Sequence, residues 1–483
     1  MVQHLKSAHK GGKAGQHLKA IGPLAGLALA AAVLGLVGSQ VLASGSLAVD
    51  PGVRGGTAGA GGFVTGLTTQ QAQVGTDITP YFSQVNNVPE PADQSSPGGL
   101  GPRFNSNSCA SCHAQPAIGG ASPLPASLGG PGNPLFNVYQ LMGAQNTMPS
   151  FETTSGPVLV PLFPFESDLI TPDGYVHQLF TITGRTDAGS CSIAQPNFTQ
   201  AMSQNNLVFR QPIATFGDGL IEIIQNVDII NNLNANLTQK AALGIIGTPN
   251  IASDGSVSRL GWKAQMRSLV LAAAIEYNVE EGVTSEFFPN ELDETPGCVL
   301  NPVPESYINY NPSIPPYEYP GDPDRFAIYM RFLAAPVPGA CPGGVQSSCT
   351  NGSVQFNSSN VGCALCHTKS FTTPKSIINA LGQKKATLYS DLLVHHMGPC
   401  LADNITQGNA AGDEFRTAPL WGVGQRAFFL HDGRTSDIVQ AIEDHLCTGN
   451  SQYPNSEANA SVTAFNALPQ KNQQDLVNFL RSL

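Results

Sequence analysis

Apolar positions recur at helical spacing in only a few stretches of this chain. The pattern predicts helices from Trp262 to about Tyr277, Asp324 to Leu333, Ser436 to Leu446 and Gln473 to Leu483. In the third, Ile438, Ala441, Ile442 and His445 follow i, i+3, i+4, i+7, which sets a histidine on the apolar face. Residues 157–185 mix short apolar runs with proline and threonine and read as short strands or extended loop. Glycine (51) and proline (37) interrupt the longer patterns among the 483 residues and predict long ordered loops. The fold class is therefore mainly α, with long loops and a few short strands. The length accommodates two or three domains.

At the N-terminus, Lys6, Lys10, Lys13 and Lys19 precede an apolar run from Ile21 to Val37, followed by Val41-Leu42-Ala43. A basic region, an apolar region and small residues before a cut describe a secretory signal over residues 1–43. The apolar run exceeds the usual upper limit of about 15 residues, so a retained single-span anchor is the alternative. Either reading expects the body of the protein to be periplasmic or otherwise exported.

Two copies of Cys-x-x-Cys-His carry the strongest chemical signal: Cys109-Ala-Ser-Cys112-His113 and Cys363-Ala-Leu-Cys366-His367. The pattern suits covalent attachment of c-type haem, with two thioethers and the adjacent histidine as axial ligand. A zinc site leaves both trailing histidines unexplained, and a thioredoxin-like dithiol lacks its βαβ context. Two covalently bound haems are expected, and their macrocycles would supply apolar core that the loops lack.

Charge narrows the partners. Residues 1–43 hold four lysines and no acid, so the formal charge of −11 becomes −15 without them. Nothing resembles a basic phosphate-binding face, and no nucleic-acid partner is expected. An acidic surface suits a basic electron carrier, although solubility alone explains it more simply.

An internal echo follows each motif. Phe209-Arg210-Gln-Pro212 then Phe216-Gly217-Asp-Gly219 recurs as Phe415-Arg416-Thr-Ala-Pro419 then Trp421-Gly422-Val-Gly424. The shared order argues for two related units. They are expected at 62–300, with an insertion, and at 341–483, joined by a linker and connecting helix over 301–340.

Several stretches resemble a known family: the di-haem oxidoreductases, putative peroxidases, relatives of bacterial di-haem cytochrome c peroxidases. They are Ser108-Cys-Ala-Ser-Cys-His-Ala-Gln-Pro-Ala-Ile-Gly-Gly120, Phe216-Gly-Asp-Gly-Leu-Ile-Glu222 and Leu260-Gly-Trp-Lys-Ala-Gln265. Further on come Asp391-Leu-Leu-Val-His-His-Met-Gly398, Glu414-Phe-Arg-Thr-Ala-Pro-Leu-Trp-Gly422 and Leu430-His-Asp-Gly-Arg434. The resemblance implies two cytochrome c-like haem domains packed for electron transfer between haems. It leaves the substrate open.

Besides His113 and His367, the candidate axial ligands are His445 and Met397 for the second haem and His177 for the first. In relatives an axial ligand follows the His-x-Gly motif at the spacing of His445, which favours it over Met397. A methionine there would raise the haem potential. Glu222 is the candidate acid/base for peroxide chemistry; the plainer reading is a carboxylate favoured at a helix start. Trp262 is a candidate bridge between haems, and Trp421 is expected to pack on the second haem. A bridging calcium ion and a homodimer are left undecided.

Six cysteines remain, and fifteen pairings are open to them. Cys341–Cys349 would close a short loop. Cys400–Cys447 is within reach if Met397 and His445 approach one haem, which leaves Cys191–Cys298. The expected activity is reduction of hydrogen peroxide, a small-molecule oxidant, with electrons from a small cytochrome c or cupredoxin. Another substrate (a sulfur compound, an organic molecule or a protein side chain) and a non-enzymatic electron carrier are the alternatives.

Overall fold

Helix α1 (Thr69–Phe82) opens on a capping box: the Thr68 hydroxyl accepts from the Gln71 amide, and the Gln71 side chain accepts from the Thr68 amide. The computed structural model to which it belongs describes residues 47–86, 100–140, 146–182, 193–290 and 319–483, with residues 292, 295, 305, 306, 308 and 313 between the last two. Residues 43–483 form one compact unit. After α1 come β1 (Arg103–Phe104), the single-turn α2 (Cys109–Cys112), α3 (Leu135–Val138), β2 (Val160–Leu162), β3 (Phe180–Thr181), α4 (Phe198–Ser203) and β4 (Val208–Arg210). Five helices follow: α5 (Asp218–Ile223), α6 (Asn226–Leu233), α7 (Leu237–Leu243), α8 (Leu269–Glu281) and α9 (Asp322–Phe332).

The C-terminal half repeats this order more briefly. It runs α10 (Gln346–Phe356), α11 (Cys363–Cys366), β5 (Phe371–Thr372), β6 (Lys385–Ala386), β7 (Val394–His396), β8 (Glu414–Arg416), α12 (Ile438–Glu443), α13 (Asn459–Asn466) and α14 (Gln470–Ser482). The strands pair antiparallel in twos, β1 with β3, β2 with β4, β5 with β6 and β7 with β8. Helix (32% of the chain) outweighs strand (10%), and the strands are short.

Two local features recur in both halves, although the strands pair β1 with β3 and β2 with β4 in the first and consecutively in the second. Helix α1 crosses α9 at Gly75, where a Cβ would come within 3.2 Å of the Phe332 ring, and α10 crosses α14 at Gly352, where it would lie 1.9 Å from the Asp475 carbonyl oxygen. In each crossing one helix precedes a Cys-x-x-Cys-His turn in the chain and the other follows it. The echo motifs match as well. Strands β4 and β8 end on Arg210 and Arg416, and the chain then reaches Gly217 and Gly422 at φ 72° and 73°, each starting a helical turn. Only glycine enters that left-handed region without strain.

Apolar side chains gather in three principal clusters. One spans both halves and includes Phe216, Leu269, Tyr329, Leu388 and Trp421. A second lies within 341–483 around Phe356, Phe465 and Phe479, and a third within 100–207 around Phe104 and Phe180.

Three of the expected helices stand within a few residues of their places. The helix expected from Trp262 begins only at Leu269, after the cap Ser268. Residues 262–267 are claimed by tertiary contacts instead: the Trp262 indole donates to the Gln211 carbonyl, and the Lys263 ammonium donates to the Ala411 and Glu414 carbonyls. Helix α9, expected as a connector, packs against α1 and α8. Disulfides join Cys341 to Cys349 and Cys400 to Cys447, each with Cα atoms 5.8 Å apart. Cys191 and Cys298 lie outside the described residues, as does the expected signal. Among the described residues, no helix is long and apolar enough to cross a membrane.

Candidate functional site

Helix α11 is one turn long, so Cys363 and Cys366 fall on the same side with His367 at its end. The His367 Nδ1 lies 3.0 Å from the Tyr389 carbonyl oxygen. An imidazole that donates through Nδ1 is fixed in orientation and keeps Nε2 for a metal. His445, just beyond α12, is held in the same way by the Ala441 carbonyl at 2.6 Å. Burial lowers both rings' basicity, His367 to about 4, which keeps them neutral. Both line one cavity of about 250 Å³ together with Met397, Cys363 and Cys366. The two rival ligand candidates thus share a single chamber.

The other histidines nearby are engaged differently. His395 gives Nδ1 to Glu457 at 2.7 Å and Nε2 to Asp391 at 3.0 Å, so neither nitrogen is spare. His396 lies 3.0 Å from Asp413. His431 stacks on Phe415 at 4.1 Å, meets Trp262 edge-on at 6.3 Å, and is pushed down to about 4 by burial.

The cavity has a cationic side. Arg416 and Arg426 line it, both lowered to about 10 by burial. Among the described residues no carboxylate lies within 4.0 Å of either, and Arg416 Nε and Gln211 Oε1 are buried without hydrogen bonds. Sequence reasoning missed both arginines as site residues, although Arg416 stands in the echo motif.

At the first site, His113 Nδ1 lies 3.1 Å from the Gly120 carbonyl oxygen, and the Ile213 carbonyl also faces this ring. The Cys109 thiol donates to Glu281 at 3.2 Å, and Phe82 meets the His113 ring edge-on at 6.4 Å. The candidate His177 is occupied: it stacks on Phe163 at 3.8 Å and puts Nε2 2.8 Å from Asp173. Glu222 is also committed. Its two oxygens accept from the Arg331 guanidinium at 2.7 and 2.9 Å and from the Leu269 amide at 2.8 Å, the first residue of α8. Glu222 stands near the end of α5, not at its start, and its carboxylate meets the first amide of another helix, α8. Four residues earlier, Asp218 has no side-chain hydrogen bond among the described residues, and burial pushes it up to about 7.

One segment separates the sites. Gln211, Pro212, Ile213 and Ala214 line the second cavity, while the Ile213 carbonyl faces the His113 ring of the first. Trp262 also lines the cavity and is pinned to this wall by its 2.9 Å bond to Gln211. Trp421 stands elsewhere than expected. Its ring is absent from the cavity lining and lies against Gly217, in the core cluster that touches Cys109 and Ala110 of the first motif. No group of three His, Cys, Asp or Glu side chains among the described residues is arranged to hold a metal ion.

The family model described as di-haem oxidoreductase, putative peroxidase, matches residues 165–483. The chain belongs to this family. It is therefore a redox protein of the di-haem class, with haem as its cofactor. Among solved structures, a MauG-like protein associated with microbial copper homeostasis is 13% identical over 56% of this chain and 89% of its own, at a TM-score of 0.27. Hydrazine synthase from Kuenenia stuttgartiensis is 18% identical over 36% of this chain, at a TM-score of 0.22; the match spans 60% of that protein's chain. Likeness at this level carries no argument about activity. No curated protein matches the chain.

The residues of this di-haem oxidoreductase fit haem. Each motif presents two free thiols and a histidine whose Nδ1 is already bonded. The second cavity adds a further neutral imidazole and two buried guanidiniums without a carboxylate at ion-pair distance among the described residues, Asp218 acting on Arg416 from farther off. A macrocycle with an apolar body and two carboxylates matches that set of groups.

Proposed function

We propose that the chain is an exported di-haem c-type oxidoreductase that reduces hydrogen peroxide at the first site with electrons received at the second. Cys109 and Cys112 would hold one haem and Cys363 and Cys366 the other, with His113 and His367 as axial ligands. His445 would be the second ligand of the latter. Bound haem supplies one-electron iron chemistry at each site.

The observation that carries this reading is the shared wall, residues 211–214, with the His113 ring on one side and the His367 cavity on the other. A wall shared by both sites would let electrons pass between groups held on its two sides. Reducing peroxide to two waters consumes two electrons and two protons. The engagement of His177 by Asp173 and Phe163 supports a first site open to the oxidant. Asp218 is better suited than Glu222 to hand over a proton, because burial raises its carboxyl to about 7 against the pull of Arg416, and it has no side-chain hydrogen bond among the described residues. Arg416 and Arg426 would hold the carboxylates of a haem bound in this cavity. The repeated helix crossings support two cytochrome c-like units, with α9 closing the first. Two disulfides and the basic-apolar N-terminus support export to an oxidising compartment.

A redox titration followed by electron paramagnetic resonance, combined with peroxide turnover, tests the assignment. The expected result is a low-spin second haem of higher potential and peroxide reactivity confined to the first. Two low-spin haems indifferent to peroxide would exclude it.

A further inference from the structure

The surface beside the second motif carries a charge opposite to that of the whole chain. Seven lysines follow residue 43, and four of them, Lys369, Lys375, Lys384 and Lys385, fall in the stretch just after His367. All four are exposed. No Asp or Glu occurs between Asp324 and Asp391. Asp391 itself is fully buried, with its carboxylate against His395. The lysines are therefore uncompensated by any acid in their own stretch, on a chain of net charge −11.

The patch is a built structure. Strands β5 and β6 pair Phe371 with Ala386 and Thr372 with Lys385. The Thr373 amide donates to the Lys384 carbonyl at 2.8 Å, and its hydroxyl to the Leu381 carbonyl at 2.6 Å. Phe371, Leu381 and Ala386 anchor the hairpin in the core. Near its tip Ile377 is 99% exposed, an apolar side chain two residues along the chain from Lys375. The patch is also wired to the iron ligand: the Tyr389 amide donates to the Lys369 carbonyl at 3.2 Å, and the Tyr389 carbonyl accepts from His367 at 3.0 Å.

We propose that the β5–β6 hairpin is the docking surface for an acidic electron-donor protein, with Ile377 at the centre of the contact and the lysines as its rim. This reverses the partner charge expected from net composition. The reason is that association is governed by the field where partners meet, and screening confines that field to about 10 Å. The proposal rests on electrons entering at the second site, and proximity to His367 favours a redox partner over a lipid surface.

The test uses the haem-loaded protein in stopped flow with two reduced carriers, an acidic plastocyanin-type cupredoxin and a basic mitochondrial-type cytochrome c. At low salt the acidic carrier should reduce the second haem at least about tenfold faster, with a rate that falls as salt rises. The triple variant Lys375→Glu, Lys384→Glu, Lys385→Glu should reverse that ranking, and Lys→Gln at the same positions should abolish it. Reduction by a small uncharged reductant should be the same in all three proteins. Unchanged carrier rates in the variants would overturn the proposal. So would variants that only stop binding to anionic vesicles, or that only dissociate a dimer of this chain. Titration with the redox-inert zinc-substituted cupredoxin separates the two readings. Binding at the hairpin with the first haem reduced first keeps the docking surface and rejects electron entry at the second site. Reduction of the second haem by the small reductant without carrier binding does the opposite.

Discussion

The indole of Trp421 lies over Gly217, so closely that a Cβ at position 217 would meet ring carbons at 2.6 and 2.7 Å. The two echo turns, one from each half, thus touch each other through a tryptophan and a missing side chain. Gly217→Ala adds both a steric conflict and a strained φ of 72°. The expected loss is about 2 kcal/mol or more, read as a shift in the denaturant midpoint at constant slope. A loss under about 0.5 kcal/mol would mean that the ring can move aside.

The ligands of the second haem separate by substitution. His445→Gly should turn its low-spin signal high-spin or into that of an exogenous imidazole when one is added. Met397→Leu should leave the signal in place, since Met and Leu are close in volume and Met397 would act only in packing. The opposite pattern in electron paramagnetic resonance would exchange the two roles.

Glu222 supports the fold. Glu222→Gln keeps an oxygen for the Leu269 amide but weakens the paired contact with Arg331, half-buried at 24% and 13% side-chain exposure. Stability should fall by about 1–3 kcal/mol, while peroxide turnover per folded molecule changes less than about twofold. A hundredfold loss of turnover at unchanged stability would restore Glu222 as the acid.

Asp218 predicts a pH profile. Its carboxyl is raised from 3.8 to about 7, mainly by burial, so the folded protein holds the proton more tightly than the unfolded chain does. Stability should therefore decline as pH rises from about 4 to about 7, and the proton donor is lost above about 7. Turnover should fall on that alkaline side. Asp218→Asn should flatten this limb and lower neutral turnover by about a hundredfold. An alkaline limb that survives the substitution would assign it to another group.

Haem stoichiometry gives the simplest check on the sites. Cys363→Ala with Cys366→Ala should leave one covalently bound haem per chain, measured as the pyridine haemochrome after acid-acetone extraction. The first site should keep its spectrum.

Much of the site was legible because its signals are short-range. Two cysteines and a histidine within one helical turn declare their chemistry without knowledge of the fold. The echo motif likewise marked Gly217 and Gly422, which the structure places at left-handed turns, since such a residue leaves a glycine in the sequence. Helices α1 and α10 were not legible. Their faces carry Gly75, Gly352 and Cys349 where a periodic pattern would show large apolar residues, because these helices are crossed at close range. The helix expected at Trp262 failed for the opposite reason, since Trp262 and Lys263 bond to distant carbonyls instead of the local turn.

The sequence by itself determined the two attachment motifs and the duplicated grammar around them, which depend on local spacing. Tertiary structure alone decided which histidines have a spare nitrogen. His395 gives both nitrogens to carboxylates and His177 gives Nε2 to Asp173, while His445 keeps Nε2 because a carbonyl one turn back takes Nδ1. It alone placed Trp262 on the wall between the sites and Trp421 against the other half. Hydrogen-bond partners and contacts between halves are set by residues far apart in the chain, and no periodicity records them.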